Sequence, residues 1–166
     1  MPTTTEIASE LQHVANAAPT VEDLMTDIVE RLQRHMSKYN WVGFYMIDRS
    51  ESEPMLQLGP YIGAPTTHTR IPLHQGICGA AASSGNTLIV DDVASDPRYL
   101  ACSIETKSEI VVPVRVHGEV VGELDIDSHT PAAFTSEDRS LCELAAALVG
   151  RYLEAQAGPK AVERTA

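Results

Sequence analysis

Cysteine is scarce in this sequence. There are three in 166 residues, an odd number with no CxxC pair, which excludes a disulfide framework and a cysteine-rich zinc site. The six histidines (His13, His35, His68, His74, His117 and His129) show no HxxxH spacing, so the pattern leads to no expected metal. Basic charge is also short. Twelve Lys and Arg against 23 Asp and Glu leave a net charge of −11. That argues against nucleic acid and anionic membrane surfaces as partners, because both demand basic patches. No apolar run approaches the roughly 20 residues of a membrane span. The first residues, MPTTTEIASELQ, lack the basic start and apolar core of a secretory signal. The expected location is therefore the cytoplasm, where thiols stay reduced. Repeats and low-complexity segments are absent.

What remains is ordinary for a globular protein, 43% apolar and 21% charged. The length suits one domain over residues 1–155, with 156–166 a frayed tail. Ile7, Leu11, Val14 and Ala15 recur at helical spacing and predict a helix from Glu6 to Ala18. Thr20 is placed to cap a second, carrying Val21, Leu24, Met25, Ile28 and Leu32 and ending near Tyr39-Asn40. WVGFYMID (Trp41 to Asp48), EPMLQLGPY and HTRIPL read as strands. HQGICGAAASSG reads as a tight turn into a short, closely packed helix. TLIVDDV is a further strand, and EIVVPVRV-HG-EVVGELDID reads as a hairpin. Thr135 caps a last helix, with Glu137 and Asp138 at its positive end and Leu141, Leu144, Ala145 and Leu148 as its stripe. The order α-α-β-β-β-α-β-β-β-α predicts an α+β fold, an antiparallel sheet of about six strands with N- and C-terminal helices packed on it.

Two residue types carry possible chemistry. Cys102, in YLACSIETKSEIVVPV, follows a turn, where reactive groups concentrate. Cys78 lies between glycines at a helix start, where the dipole lowers a thiol pKa. Cys142 adjoins the apolar stripe of the last helix and reads as structural; a small buried hydrophobe accounts equally for the other two. The carboxylates alternate. In GELDIDS, Glu123, Asp125 and Asp127 share one strand face. A half-solvated strand accounts for that; the alternative is a pocket lined by Glu109, Asp125 and Asp127. Crowded carboxylates in a pocket retain protons, and an ammonium ligand relieves them. The two readings differ in register. A two-residue His117-Gly118 turn sets Glu109 opposite Ile126, away from the aspartates. A three-residue loop, or a one-residue bulge, sets Glu109 opposite Asp127. Trp41 and Tyr45 share a strand face with Gly43 between them. They are either core or an apolar wall, with the glycine leaving room for a ligand to approach the backbone.

Taken together, NWVGFY, LGPYIG, RIPLHQGICGAA, VDDVASDPRYLAC, SEIVVPV, GELDIDS and FTSEDRSLCELAA resemble the successive blocks of a GAF domain. More narrowly, they resemble the free methionine-(R)-sulfoxide reductases, over about Tyr39 to Tyr152. The resemblance implies a GAF-like core over 39–152 preceded by two helices. It implies Cys102 as the nucleophile that reduces the sulfoxide, through sulfenic acid and disulfide intermediates, and Cys78 as a second functional cysteine. Glu109, Asp125 and Asp127 become pocket carboxylates, and Trp41 and Tyr45 the wall around the methylthio group. No bound cofactor is implied; thioredoxin is the implied reductant. A homodimer is implied too, with the first helix as a candidate contact. The chain departs from the family twice. His68 stands where a third cysteine usually lies, ten positions before Cys78, and Ser103 replaces the usual Asp after the nucleophile. Only Cys78 is then left to resolve an oxidised Cys102. The competing expectation is a GAF sensor that binds a small ligand without chemistry. The Cys-His pair of bilin-binding GAF domains and a cyclic-nucleotide signature are both missing.

Overall fold

The computed structural model describes residues 1–100 and 103–158. Its elements are α1 (Thr4–Ala17), α2 (Val21–His35), β1 (Trp41–Asp48), β2 (Met55–Ile62), β3 (Arg70–Pro72), α3 (Gly76–Ser84), β4 (Leu88–Val90), a 3-10 turn (Val93–Ser95), β5 (Ser108–Val116), β6 (Glu119–Ser128) and α4 (Ser136–Ala157). The six strands form one sheet in the order β3-β2-β1-β6-β5-β4, and every neighbouring pair is antiparallel. This is the α+β layer that the order of elements predicts.

Helix starts follow local hydrogen-bond chemistry. Thr3 Oγ1 accepts the Glu6 N–H at 3.2 Å while the Glu6 carboxylate accepts the Thr3 N–H at 2.7 Å. This reciprocal cap starts α1 two residues before the expected Glu6,. Thr20 caps α2 by accepting the Asp23 N–H. Thr135 and Asp138 form a second reciprocal cap on α4.

Period-two alternation then divides the residues between two faces. Val42 and Phe44 of β1, Ile110, Val112 and Val114 of β5, and Leu124 and Ile126 of β6 join one core with α1, α2 and α4. Trp41, Tyr45 and Val111 point the other way and pack with Ile77, Cys78 and Ala81 of α3. Within the first core α1 contacts α2 and α4, and its Ile7 and Leu11 are fully buried there. The apolar stripe that made α1 a candidate dimer contact therefore lies inside the protomer. Among the described residues no helix is long and apolar enough to cross a membrane.

The β5–β6 hairpin decides the register. His117 (φ 50°) and Gly118 (φ 83°) form a two-residue turn, and Val116 pairs with Glu119. Both central residues take positive φ, as a turn matched to strand twist requires. Arg115 pairs with Val120 but Val114 pairs with Gly122, so Val121 is one residue too many on β6. This bulge restores the shifted register, and Glu109 lies opposite Asp127,.

Candidate active site

The site occupies the sheet face covered by α3. Strand β6 contributes Glu123, Asp125 and Asp127 on one face, β5 contributes Glu109 by the bulged register, and β1 contributes Trp41 and Tyr45 opposite Asp127 and Glu123. α3 contributes Cys78. Its Sγ donates to Asp125 Oδ2 at 3.4 Å and lies 4.0 Å from Glu109 Oε1. A half-solvated strand is ruled out: Glu109, Asp125 and Asp127 are 5–6% exposed and Glu123 is 0% exposed.

Burying several carboxyls together has an electrostatic consequence. Loss of hydration raises the pKa values of Glu123, Asp125 and Asp127; the Asp125 charge adds to this for Glu123 and Asp127,. Hydrogen bonds from Glu109 and Cys78 partly offset it for Asp125. The cluster therefore holds protons into a range where ordinary carboxyls have lost them. Cys78 behaves oppositely to the dipole expectation. Burial first, then the Asp125, Glu123 and Glu109 charges, push its thiol pKa well up. One short helix N-terminus does not outweigh three acidic neighbours.

Beside this cluster is a deep cavity of about 20 Å³, lined among others by Tyr45, His68, Leu100, Glu109, Asp125 and Asp127. Asp127 also borders an outer cavity of about 80 Å³, with Trp41, Thr66, Ser103, Glu105 and His129. Roomier surface clefts lie elsewhere, including one of about 660 Å³ between α2 and β2, but its lining holds no cysteine and no buried carboxylate. The aromatic wall is fixed at both ends. Trp41 stacks between Tyr45 (ring centroids 6.3 Å) and Tyr61 (5.4 Å) and donates its Nε1–H to the Ala64 carbonyl at 3.1 Å. Tyr45 Oη donates to the His68 carbonyl at 2.8 Å. Gly43 has a different use from the expected one. A Cβ there would meet the Trp41 ring at 2.5 Å, so the glycine makes room for the indole rather than for a ligand.

The structure thus brings together Cys78, Trp41, Tyr45, Glu109, Asp125 and Asp127. Cys102 lies outside the described residues; Leu100 and Ser103, on either side of the gap, line the deep and the outer cavity. Cys142 is structural. It is fully buried in α4, 3.7 Å from Tyr39 Oη, with its pKa pushed up to about 12 by burial. Glu123 is the member that site reasoning passed over. The alternation placed it on the correct face, but nothing in the sequence marked that face as covered.

The GAF domain family profile matches residues 20–153. Protein YtsP of Bacillus subtilis is 40% identical over 64% of each chain, so the match spans just under two thirds of that protein. The free methionine-R-sulfoxide reductase of Escherichia coli is 34% identical over 130 residues, 78% of this chain and 69% of that one. Among solved structures, the free methionine-R-sulfoxide reductase of Neisseria meningitidis in complex with its substrate superposes with a TM-score of 0.85 at 30% identity. It covers 93% of this chain and 92% of its own. This chain belongs to the GAF domain family, among the free methionine-R-sulfoxide reductases.

Proposed function

We propose that the protein reduces free methionine-(R)-sulfoxide to methionine with Cys102 as nucleophile. The observation that carries this reading is the bulged hairpin, which sets Glu109 opposite Asp127 and beside Asp125 under a buried aromatic wall. Methionine sulfoxide has an ammonium at one end and a methylsulfinyl group at the other. An ionised carboxylate of the cluster takes the ammonium, and the Trp41–Tyr45 wall takes the methyl. The Cys102 thiolate attacks the sulfoxide sulfur while a protonated carboxyl gives its proton to the sulfoxide oxygen. The oxygen passes to the cysteine as sulfenic acid and methionine leaves as the thioether. A thiol then condenses with the sulfenic acid, expelling water and forming a disulfide, and a second thiol releases Cys102 and leaves the reductant oxidised.

Cys78 is the internal candidate for the resolving thiol, but it is buried and held protonated. A thiol in that state is a poor nucleophile. Its bond to Asp125 suits it to orient that carboxyl instead. With His68 at the third cysteine position, we assign recycling to an external dithiol of the thioredoxin kind acting directly on Cys102. The test is release of free methionine from the (R)-sulfoxide by purified protein with dithiothreitol. Turnover is expected for the unaltered protein and for Cys78→Ser, and none for Cys102→Ser. Methionine sulfoxide binding without turnover, unchanged by Cys102→Ser, would replace the enzyme with a binding module.

A further inference from the structure

Asp125 Oδ1 and Asp127 Oδ1 are buried without a hydrogen-bond partner, and Glu123 is fully buried with the Cys78 thiol beside its carboxyl. A substrate ammonium entering the deep cavity meets Asp125 and Asp127, which line it. Glu123 does not line that cavity; its carboxyl lies against the Cys78 sulfur. The substrate therefore leaves unexplained a fully buried carboxyl aimed at a thiol. Donor atoms of Cys78, Glu109 and Asp125 all lie within 4.8 Å of one another, the one such group among the described residues.

The spacing and the chemistry fit one ion. Tetrahedral zinc, with Zn–S near 2.3 Å and Zn–O near 2.0 Å, has S···O edges of about 3.5 Å. The sulfur lies 3.4 Å from Asp125 Oδ2 and 4.0 Å from Glu109 Oε1. The deep cavity, about 20 Å³, has room for one water-sized species. A sulfur donor disfavours Mg²⁺ and Ca²⁺, which take oxygen ligands in larger numbers, and favours a borderline cation. We propose that Cys78, Glu109 and Asp125 form a binding site for a single zinc ion, with Glu123 beside the Cys78 sulfur, overlapping the amino-acid pocket so that metal and methionine sulfoxide exclude each other. Zinc displaces the Cys78 thiol proton and any proton the Glu109 and Asp125 carboxyls retain, so binding releases acid. The ion's positive charge also offsets the negative charge of Glu123, which lies beside the Cys78 sulfur and does not line the cavity. Zinc binding stands independently of the reductase reading; only the competition rests on it.

Cobalt(II) is the probe, titrated into the full chain after treatment with a chelator. The expected result is one cobalt per chain, an absorption band from thiolate-to-cobalt charge transfer, proton uptake by the buffer, and displacement by zinc. The band is lost in Cys78→Ser and kept in Cys102→Ser and Cys142→Ser, and Glu123→Gln weakens binding by about tenfold or more. Saturating methionine sulfoxide abolishes the band, its binding to metal-free protein being measured separately to keep the two readings apart. Absence of stoichiometric cobalt binding by the unaltered protein overturns the site. So does a band that survives Cys78→Ser or vanishes with Cys102→Ser. Unchanged affinity in Glu123→Gln overturns the supporting part assigned to Glu123, and a bound amino acid that leaves the band in place overturns the overlap.

Discussion

Both described cysteines are buried, and burial disfavours the thiolate,. Alkylation of the native protein near neutral pH should therefore modify neither Cys78 nor Cys142, while both react once the chain is unfolded; peptide mapping reads the result. Asp138 shows the opposite balance. Burial alone would raise its pKa, but hydrogen bonds from Lys38, Tyr39 and Thr135 outweigh that and hold it below its ordinary 3.8. A depressed folded-state value stabilises the native state above the unfolded pKa, and that contribution is lost as pH falls through the folded one. Asp138→Asn should cost about 2 kcal/mol at neutral pH, and the difference should shrink below about pH 4 in urea melts. At the site, Asp125→Asn should lower kcat/KM by about 10²-fold or more in steady-state assays, because the substituted amide cannot exchange a proton. The residue types of the site were legible in SEIVVPV and GELDIDS. The fate of Glu123 was not, because period two marks a face without saying what covers it, and the covering helix α3 is a short run of small residues.

The β5–β6 hairpin shows what an element adds. Gly118 fits a two-residue or a three-residue turn, so no local rule chose between the registers. The molecule takes the two-residue turn and corrects the register with Val121, which nothing in EVVGELD announces. Gly118 has φ 83°, and a Cβ at this position would meet nothing within 4 Å. Gly118→Val should thus cost about 1–2 kcal/mol through backbone strain alone, leaving methionine sulfoxide binding intact. Urea denaturation and a binding titration check the two halves separately. Helix starts were easier to read where Thr and an acidic residue stand three apart, as at Thr20 and Thr135. The same signal at Thr3 and Glu6 lies just ahead of the apolar stripe, which is why the stripe alone put the start of α1 too late.

At the scale of the whole molecule, the sheet separates two jobs. One face packs α1, α2 and α4 into an apolar core; the other holds the carboxyl cluster, the aromatic wall and α3. The stripe of α1 was legible but its partner was not, since an amphipathic helix serves a second copy or its own core equally well. Leu11 is fully buried, so Leu11→Ala should destabilise the fold by about 3 kcal/mol; thermal or urea unfolding measures it. The central claim is that this buried cluster serves a cysteine that takes oxygen from free methionine sulfoxide. It is tested most directly by a single turnover without reductant. The unaltered protein mixed with excess free methionine-(R)-sulfoxide should release one methionine per chain, with loss of reactive Cys102 thiol, and Cys102→Ser should release none. No methionine from the unaltered protein, or the same yield from Cys102→Ser, would contradict the account.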